Sequence, residues 1–389
     1  MKKRILRPLA AACIVAAGFG FMAVLFSAVL SDKAATERDF IQYWAAGRQL
    51  IQGGNPYDIA AILRLERASG LDADKARVSF SPPVALIFAL PLGLVSPKTG
   101  LTIWLLCVLA SLAMSIWLLW SLNGSPDSRI HLLAFLYAPA LVCLTAGQLG
   151  DFFLLAVVLF LYLHNSRPFL AGAALMPCAL KPHLFLPLAL VLLLWEVSRK
   201  EYRILAGFFA GLLVSCSLSL CLDLHSWSQY SQMMNLARPM NLFVPTLSMV
   251  FRLIVDRTAL WLQFLPDAAC CCWAAWYFWS RRMQWNWIDH GLLVLLASVA
   301  CASYALFTDE AVLLPAVLTG LYRASDGRRS LLPLGLIAGV ALIEGLRSVP
   351  ITSAYYMWTT PAWLAWYLYA TGRLGAGSKR IDGISRIPA

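Results

Sequence analysis

The chain has 389 residues, 60% hydrophobic and only 13% charged, with a formal net charge of +11. That leaves too little polar surface to clothe a soluble globule, so lipid is the expected solvent for most of the chain. The basic residues lie between apolar runs and not in one patch, which excludes nucleic acid as the partner their charge serves.

Lys2, Lys3, Arg4 and Arg7 precede an apolar stretch from about Leu9 to Leu30. It exceeds the roughly 7–15-residue core of a cleaved signal and is long enough to remain as a first transmembrane helix. Residues 31–97 then form one long outer loop. Within it, Phe40, Tyr43, Trp44, Gly47, Leu50 and Ile51 share one stripe of a helix that ends at Gly53-Gly54. Asn55-Pro56-Tyr57-Asp58 turns into a second helix, Ile59 to Ser69, which Gly70 stops. Both are amphipathic and are expected to lie along the membrane surface. Asp39 stands at the N-terminal end of the first, where a carboxylate can cap free backbone amides. Pro82 to Val95 is apolar but short, opens on Pro82-Pro83 and is broken again by Pro91. It reads as a re-entrant or interfacial helix.

Later helices are expected near 98–120, 131–145, 150–164, 168–181, 183–198, 203–222, 257–280, 288–307, 310–322, 331–348 and 355–371. With the first, that makes about twelve spans in a single all-α, polytopic bundle. This count sends Arg129, Arg167, Arg199-Lys200-Arg203, Arg281-Arg282, Arg323 with Arg328-Arg329, and the tail 372–389 to the cytoplasmic side, together with the N-terminus. Were Pro82 to Val95 to cross, several of these loops would flip outward. Residues 223–256, with His225, Trp227, Tyr230 and Arg238, form a second outer loop. Trp276, Tyr277, Trp279, Trp285 and Trp287 flank Arg281-Arg282 as an interfacial anchor. The cysteines all fall in apolar segments, so neither a disulfide framework nor a metal site is expected.

The same topology collects polar residues at the outer helix ends: Asp39, then Gln148 with Asp151, Lys181 with His183, and Asp309 with Glu310. Ionisable groups at membrane depth face a cavity or a partner, and here they converge on one face. No nucleotide-binding Gly-rich loop accompanies them. By residues alone the site could belong to an enzyme, to a lipid or solute transporter in which Lys181 and Asp151 bind substrate, or to an inactive assembly partner. The absence of an internal repeat counts against the transporter.

These residues also carry a resemblance. Asp39-Phe40 with Tyr43-Trp44, Gly47, Gly53-Gly54-Asn55-Pro56-Tyr57-Asp58, Phe80-Ser81-Pro82-Pro83 and Leu90-Pro91-Leu92 resemble the N-terminal signature of glycosyltransferase family 87. The similarity continues through Gly147-Gln148, Ala171-Gly172, Leu180-Lys181-Pro182 and Asp309 to Pro315. Ser81 departs from it, since an aromatic often precedes the proline pair. The resemblance implies a GT-C fold and an inverting transferase without a cofactor. Its donor would be a polyprenyl-phosphate sugar, mannose or another hexose, and its acceptor a glycolipid or glycan on the outer face of the cytoplasmic membrane. It implies Asp39 as base, Lys181 with His183 or Arg38 on the donor phosphate, and Tyr43, Gln148, Asp151 and Asp309 in contact with substrate.

Overall fold

A computed structural model describes residues 30–236, 244–325 and 354–373, together with positions 18, 20, 22, 24 and 26 of the preceding helix. The span expected at 331–348, most of the first span and the tail beyond Arg373 lie outside the described residues. Among the described residues every regular element is helical.

Residues 31–97 begin with a short helix, α1 (Asp32–Thr36), whose Asp32 carboxylate accepts from the Lys98 N–H at 2.8 Å. Helix α2 (Phe40–Ile51) ends where expected, with Gly53 in the left-handed region at φ 68°. Helix α3 (Ile59–Ala68) starts on Asp58, whose carboxylate accepts from the Ala60 and Ala61 amides. One expectation changes. The apolar stripe of α2 meets protein, not lipid, because the chain folds back over it as a 3-10 turn (Pro83–Ala85) and α4 (Leu86–Gly93). The Trp44 indole donates to the Val95 carbonyl at 3.0 Å and Arg48 to the Gly93 carbonyl at 3.1 Å, locking the two helices together. At 1.5 Å per residue α4 is about 12 Å long, less than half a hydrocarbon core of roughly 30 Å.

Among the described residues two helices are long and apolar enough to cross a membrane: α5 (Pro97–Leu122), and further on Arg203–Leu222. A third span arises if the 3-10 segment Arg129–Leu136 and α6 (Ala138–Ala146) count as one; they meet at 47° beside Pro139. Among the described residues the other apolar helices are shorter or broken, so two or three clear spans are supported there and the expected count of about twelve is not confirmed. The α-helices that follow α6 among the described residues are α7 (Gly150–Leu163), α8 (Pro168–Ala174), α9 (Leu186–Arg199), α10 (Arg203–Leu222), α11 (Ser226–Leu236), α12 (Leu247–Val255), α13 (Leu265–Arg281), α14 (Leu292–Cys301), α15 (Leu314–Ser325) and α16 (Thr359–Ala370).

Several breaks fall at prolines, which lack an amide donor and clash with the preceding turn. The expected 168–181 helix becomes α8 plus the 3-10 segment Met176–Leu180, and a further 3-10 turn, Pro182–Leu184, precedes α9. The expected 288–307 helix stops at Cys301, leaving residues 302–306 as an irregular segment bent at Ser303 and Tyr304 before the 3-10 segment Phe307–Leu313.

The helices place two polar groups at opposite ends of α15. Near its C-terminus, Arg323 pairs with Asp289, Arg373 donates to the Asp289 carbonyl at 2.5 Å, and Arg281 covers the Tyr277 ring at 4.3 Å. The aromatic anchor beside them divides: Trp276 and Trp279 are exposed, whereas Trp287 is buried edge-on to Trp285 at 5.6 Å. At the other end lies the candidate site.

Candidate active site

The site is assembled around the turn between α6 and α7. Gly147 ends α6 in the left-handed conformation at φ 72°, and a side chain there would approach the Phe40 Cβ to 2.8 Å. Three residues on, Gly150 leaves no room for a Cβ against the Thr308 carbonyl and the Cys143 sulfur. The turn is thus wedged between the start of α2 and the segment Phe307–Leu313. The Asp39 amide donates to the Ala146 carbonyl at 2.9 Å and the Trp104 indole to the Gly147 carbonyl at 3.0 Å, fixing the register. Gln148 is thereby delivered to Asp39.

The Asp39 side chain does not cap α2. Its carboxylate accepts from Gln148 Nε2 at 2.5 Å and from Arg77 Nη1 at 3.2 Å. Arg77 is held through its own backbone: its amide donates to both carboxylate oxygens of Glu66, at 3.3 and 3.1 Å. Glu66 is buried under α3, and burial pushes its carboxyl up to about 7 against the opposing pull of Arg77.

Lys181 stands between two 3-10 segments, immediately before Pro182, where the following ring disfavours helical backbone. Its ammonium donates to both oxygens of Asp309, at 2.7 and 2.9 Å, and the Leu306 amide donates to Oδ2 of the same carboxylate at 2.8 Å. The Lys181 side chain is 17% exposed and that of Asp309 only 1%. His183 packs edge-on against Tyr304, centroids 6.1 Å apart, with its Nε2 buried and unpartnered.

Tyr43 links the halves. It stacks on Trp104 at 5.0 Å, and burial reinforced by the Asp39 and Asp309 carboxylates holds its phenol well above the usual range, so it remains a hydrogen-bond donor. Tyr304 likewise lies within electrostatic reach of both carboxylates. Asp39, Gln148, Tyr43, Lys181, His183 and Asp309, all expected from sequence, therefore gather with Arg77 and Tyr304, which were not. Arg77 sits in a loop without periodicity, and Tyr304 was hidden inside an expected apolar span.

The other expected residues do not join these two pairs. Arg38 donates to the carbonyls of Thr145 and Ala34, at 2.9 and 2.5 Å, beside Asp39. Asp151 is fully buried in the first turn of α7, with neither carboxylate oxygen hydrogen-bonded. Glu310 turns away from Asp309: it accepts from the Trp363 indole at 3.0 Å and from the Thr359 hydroxyl, pinning α16. Among the described residues no cluster of three His, Cys, Asp or Glu groups could hold a metal.

An apolar cavity of about 750 Å³ opens beside the cluster, lined by Trp104, Leu149, Phe152, Met176, Leu180 and Gly211 among others. A smaller pocket shares Trp104, Leu149 and Leu180 with this wall and is also lined by Tyr43. The arrangement pairs a carboxylate able to take a proton with an ammonium able to hold an anion, next to space for an apolar chain.

No curated protein and no solved structure matches the chain. The family model of glycosyltransferase family 87 matches residues 80–303, which include Gln148, Asp151, Lys181 and His183, while Asp39 and Arg77 precede the match and Asp309 follows it. Since that match covers more than half of the sequence, the chain belongs to glycosyltransferase family 87 and is a glycosyltransferase.

Proposed function

We propose that the protein moves a sugar, mannose or another hexose, from a polyprenyl-phosphate donor to a hydroxyl of a glycolipid or glycan on the outer face of the cytoplasmic membrane. The observation that carries this reading is the meeting of the Asp39–Gln148 and Lys181–Asp309 pairs around Tyr43, at the edge of an apolar cavity.

In the reaction Asp39 accepts the acceptor hydroxyl proton as that oxygen bonds to the anomeric carbon. The bond from that carbon to the phosphate oxygen breaks, and its electron pair leaves with the phosphate. One displacement at the anomeric carbon inverts its configuration. Gln148 orients the carboxylate, and Lys181, itself fixed by Asp309, meets the charge that grows on the departing phosphate. His183 and Arg38 border this anion site, Tyr43 donates to substrate oxygens, and the polyprenyl tail occupies the apolar cavity. Asp151 lies behind these groups and supports the sugar site through the α6–α7 turn.

The sidedness follows the charge pattern. The gathering of Arg281, Arg323 and Arg373 at one end supports placing that end, and both termini, in the cytoplasm, with the cluster on the opposite face of a multi-pass bundle.

The test is transfer by the purified protein in proteoliposomes, supplied with radiolabelled polyprenyl-phosphate hexoses and envelope glycolipid. Label is expected in the acceptor with inverted configuration. Transfer from nucleotide sugars alone would overturn the donor assignment.

A further inference from the structure

The two ion-paired cations of the site are not equivalent. Asp309 is matched by Lys181 and Asp39 by Arg77, while the Arg38 guanidinium beside them donates to the backbone carbonyls of Thr145 and Ala34. A phosphate arriving there competes with the two carboxylates for their cations. The Lys181–Asp309 pair is almost sealed from solvent, and opening it would strand a buried carboxylate. In the Arg77–Asp39 pair the side chains are 38% and 36% exposed, and it is joined by one contact at 3.2 Å. An ion pair so open to water is weakly held. The Arg77 backbone, by contrast, is fixed by two hydrogen bonds to buried Glu66, so the guanidinium can move while its root stays in place.

We propose that Arg77 is a second phosphate-binding group that exchanges its counter-ion, resting on Asp39 in the empty site and passing to the donor phosphate when that binds. The inference rests on the polyprenyl-phosphate reading of the site. A guanidinium grips a phosphate through two parallel N–H···O bonds, a geometry that its single contact with Asp39 does not use. The exchange serves both halves of the reaction. As the bond from the anomeric carbon to the phosphate oxygen breaks, the phosphate gains negative charge and holds Arg77 more strongly. Asp39, relieved of its counter-ion, is left with Gln148 and free to receive the acceptor proton. No atom or electron beyond those of donor and acceptor is required. Tyr43, in reach of both Asp39 and Asp309, marks the ground between the two cations where the phosphate would lie.

Farnesyl phosphate, which carries the lipid phosphate without a sugar, isolates this step. Its affinity is to be measured in detergent at constant ionic strength for the wild type, Arg77→Ala, Arg77→Lys, Asp39→Asn and the Arg77→Ala/Asp39→Asn double variant. Loss of a charge-assisted bidentate contact predicts binding weaker by about 10-fold or more in Arg77→Ala, with Arg77→Lys intermediate. Asp39→Asn, which removes the competitor for Arg77, is expected to tighten binding about threefold or more, and this gain is expected to vanish when Arg77 is absent. A gain of equal size with and without Arg77, or wild-type affinity in Arg77→Ala, overturns the exchange. Sugar transfer, assayed separately, keeps the two readings apart: transfer with Arg77-independent binding overturns the exchange alone, whereas a wild type that binds no farnesyl phosphate overturns the donor reading as well.

Discussion

Lys181→Met removes the ammonium but keeps most of the apolar stem, so it isolates the charge that Asp309 loses. At the observed 2.7 Å and an effective dielectric of about 20, the attraction between the two groups is about 6 kcal/mol. Desolvation offsets much of that in the intact protein, but in the variant the Asp309 carboxylate stays buried with the Leu306 amide as its remaining partner. Breaking such a pair costs about 3–5 kcal/mol, and the partial exposure of Lys181 argues for the lower end. A cost of about 3 kcal/mol changes the unfolding equilibrium by roughly 150-fold. Adding Asp309→Asn removes the stranded charge while its amide oxygen still accepts from Leu306, and is expected to return stability to within about 1 kcal/mol of wild type. Donor affinity, however, remains low in both variants, because the phosphate has lost its ammonium. The assay is denaturant-induced unfolding in detergent, read alongside binding of a polyprenyl-phosphate sugar. Wild-type stability in Lys181→Met, or no recovery in the double variant, would refute the reasoning about the pair. Unchanged donor affinity would refute the role assigned to Lys181.

Three further expectations follow from the same contacts. Gly150→Ala forces a methyl into the Thr308 carbonyl and displaces the turn that carries Gln148. A loss of about 1–3 kcal/mol in stability and at least tenfold in kcat is expected, and unchanged turnover would contradict the wedge. Glu66, raised from 4.5 to about 7 in the folded protein, contributes stability that is full below about 4.5 and lost as pH rises through about 7. The difference is about 3 kcal/mol; Glu66→Gln should abolish this component, and parallel stability–pH curves for the two proteins would count against it. Glu310→Ala leaves the Trp363 indole N–H without its partner and weakens the seat of α16 by about 1–3 kcal/mol, which limited proteolysis should detect as earlier cleavage near Thr359.

Much of the site was legible before the fold because local rules governed it. The glycines after α2 and α3 act on their own few residues and the structure follows them, whereas the cap expected of Asp39 is not made because its carboxylate goes to Gln148 and Arg77. Helix counting placed Asp39, Gln148, Lys181 and Asp309 on one face but paired none of them; the Gln148–Asp39 and Lys181–Asp309 contacts are seen only in the structure. What sequence did not disclose depends on what lies across a gap. Arg77 reaches Asp39 over 38 residues of chain, with nothing in its own neighbourhood to announce the pairing. Periodicity identified the apolar stripe of α2 correctly but could not say that α4, and not lipid, covers it. Asp309 and Glu310 look alike in sequence, yet adjacent residues on a tight helical segment point in different directions, and they serve a site and a scaffold respectively. Span number was the least legible property. Several of the 3-10 segments that break these helices begin on or beside prolines such as Pro177 and Pro182, which a hydropathy count passes over.

The most direct measurement is sugar transfer by Asp39→Asn in proteoliposomes supplied with the active polyprenyl-phosphate sugar. Asparagine keeps the shape and can still meet Gln148, but it cannot take a proton. The account predicts turnover lower by about 10²–10⁴-fold with the donor still bound. Near-normal transfer would show that the acceptor proton goes elsewhere and that Asp39 is not the base.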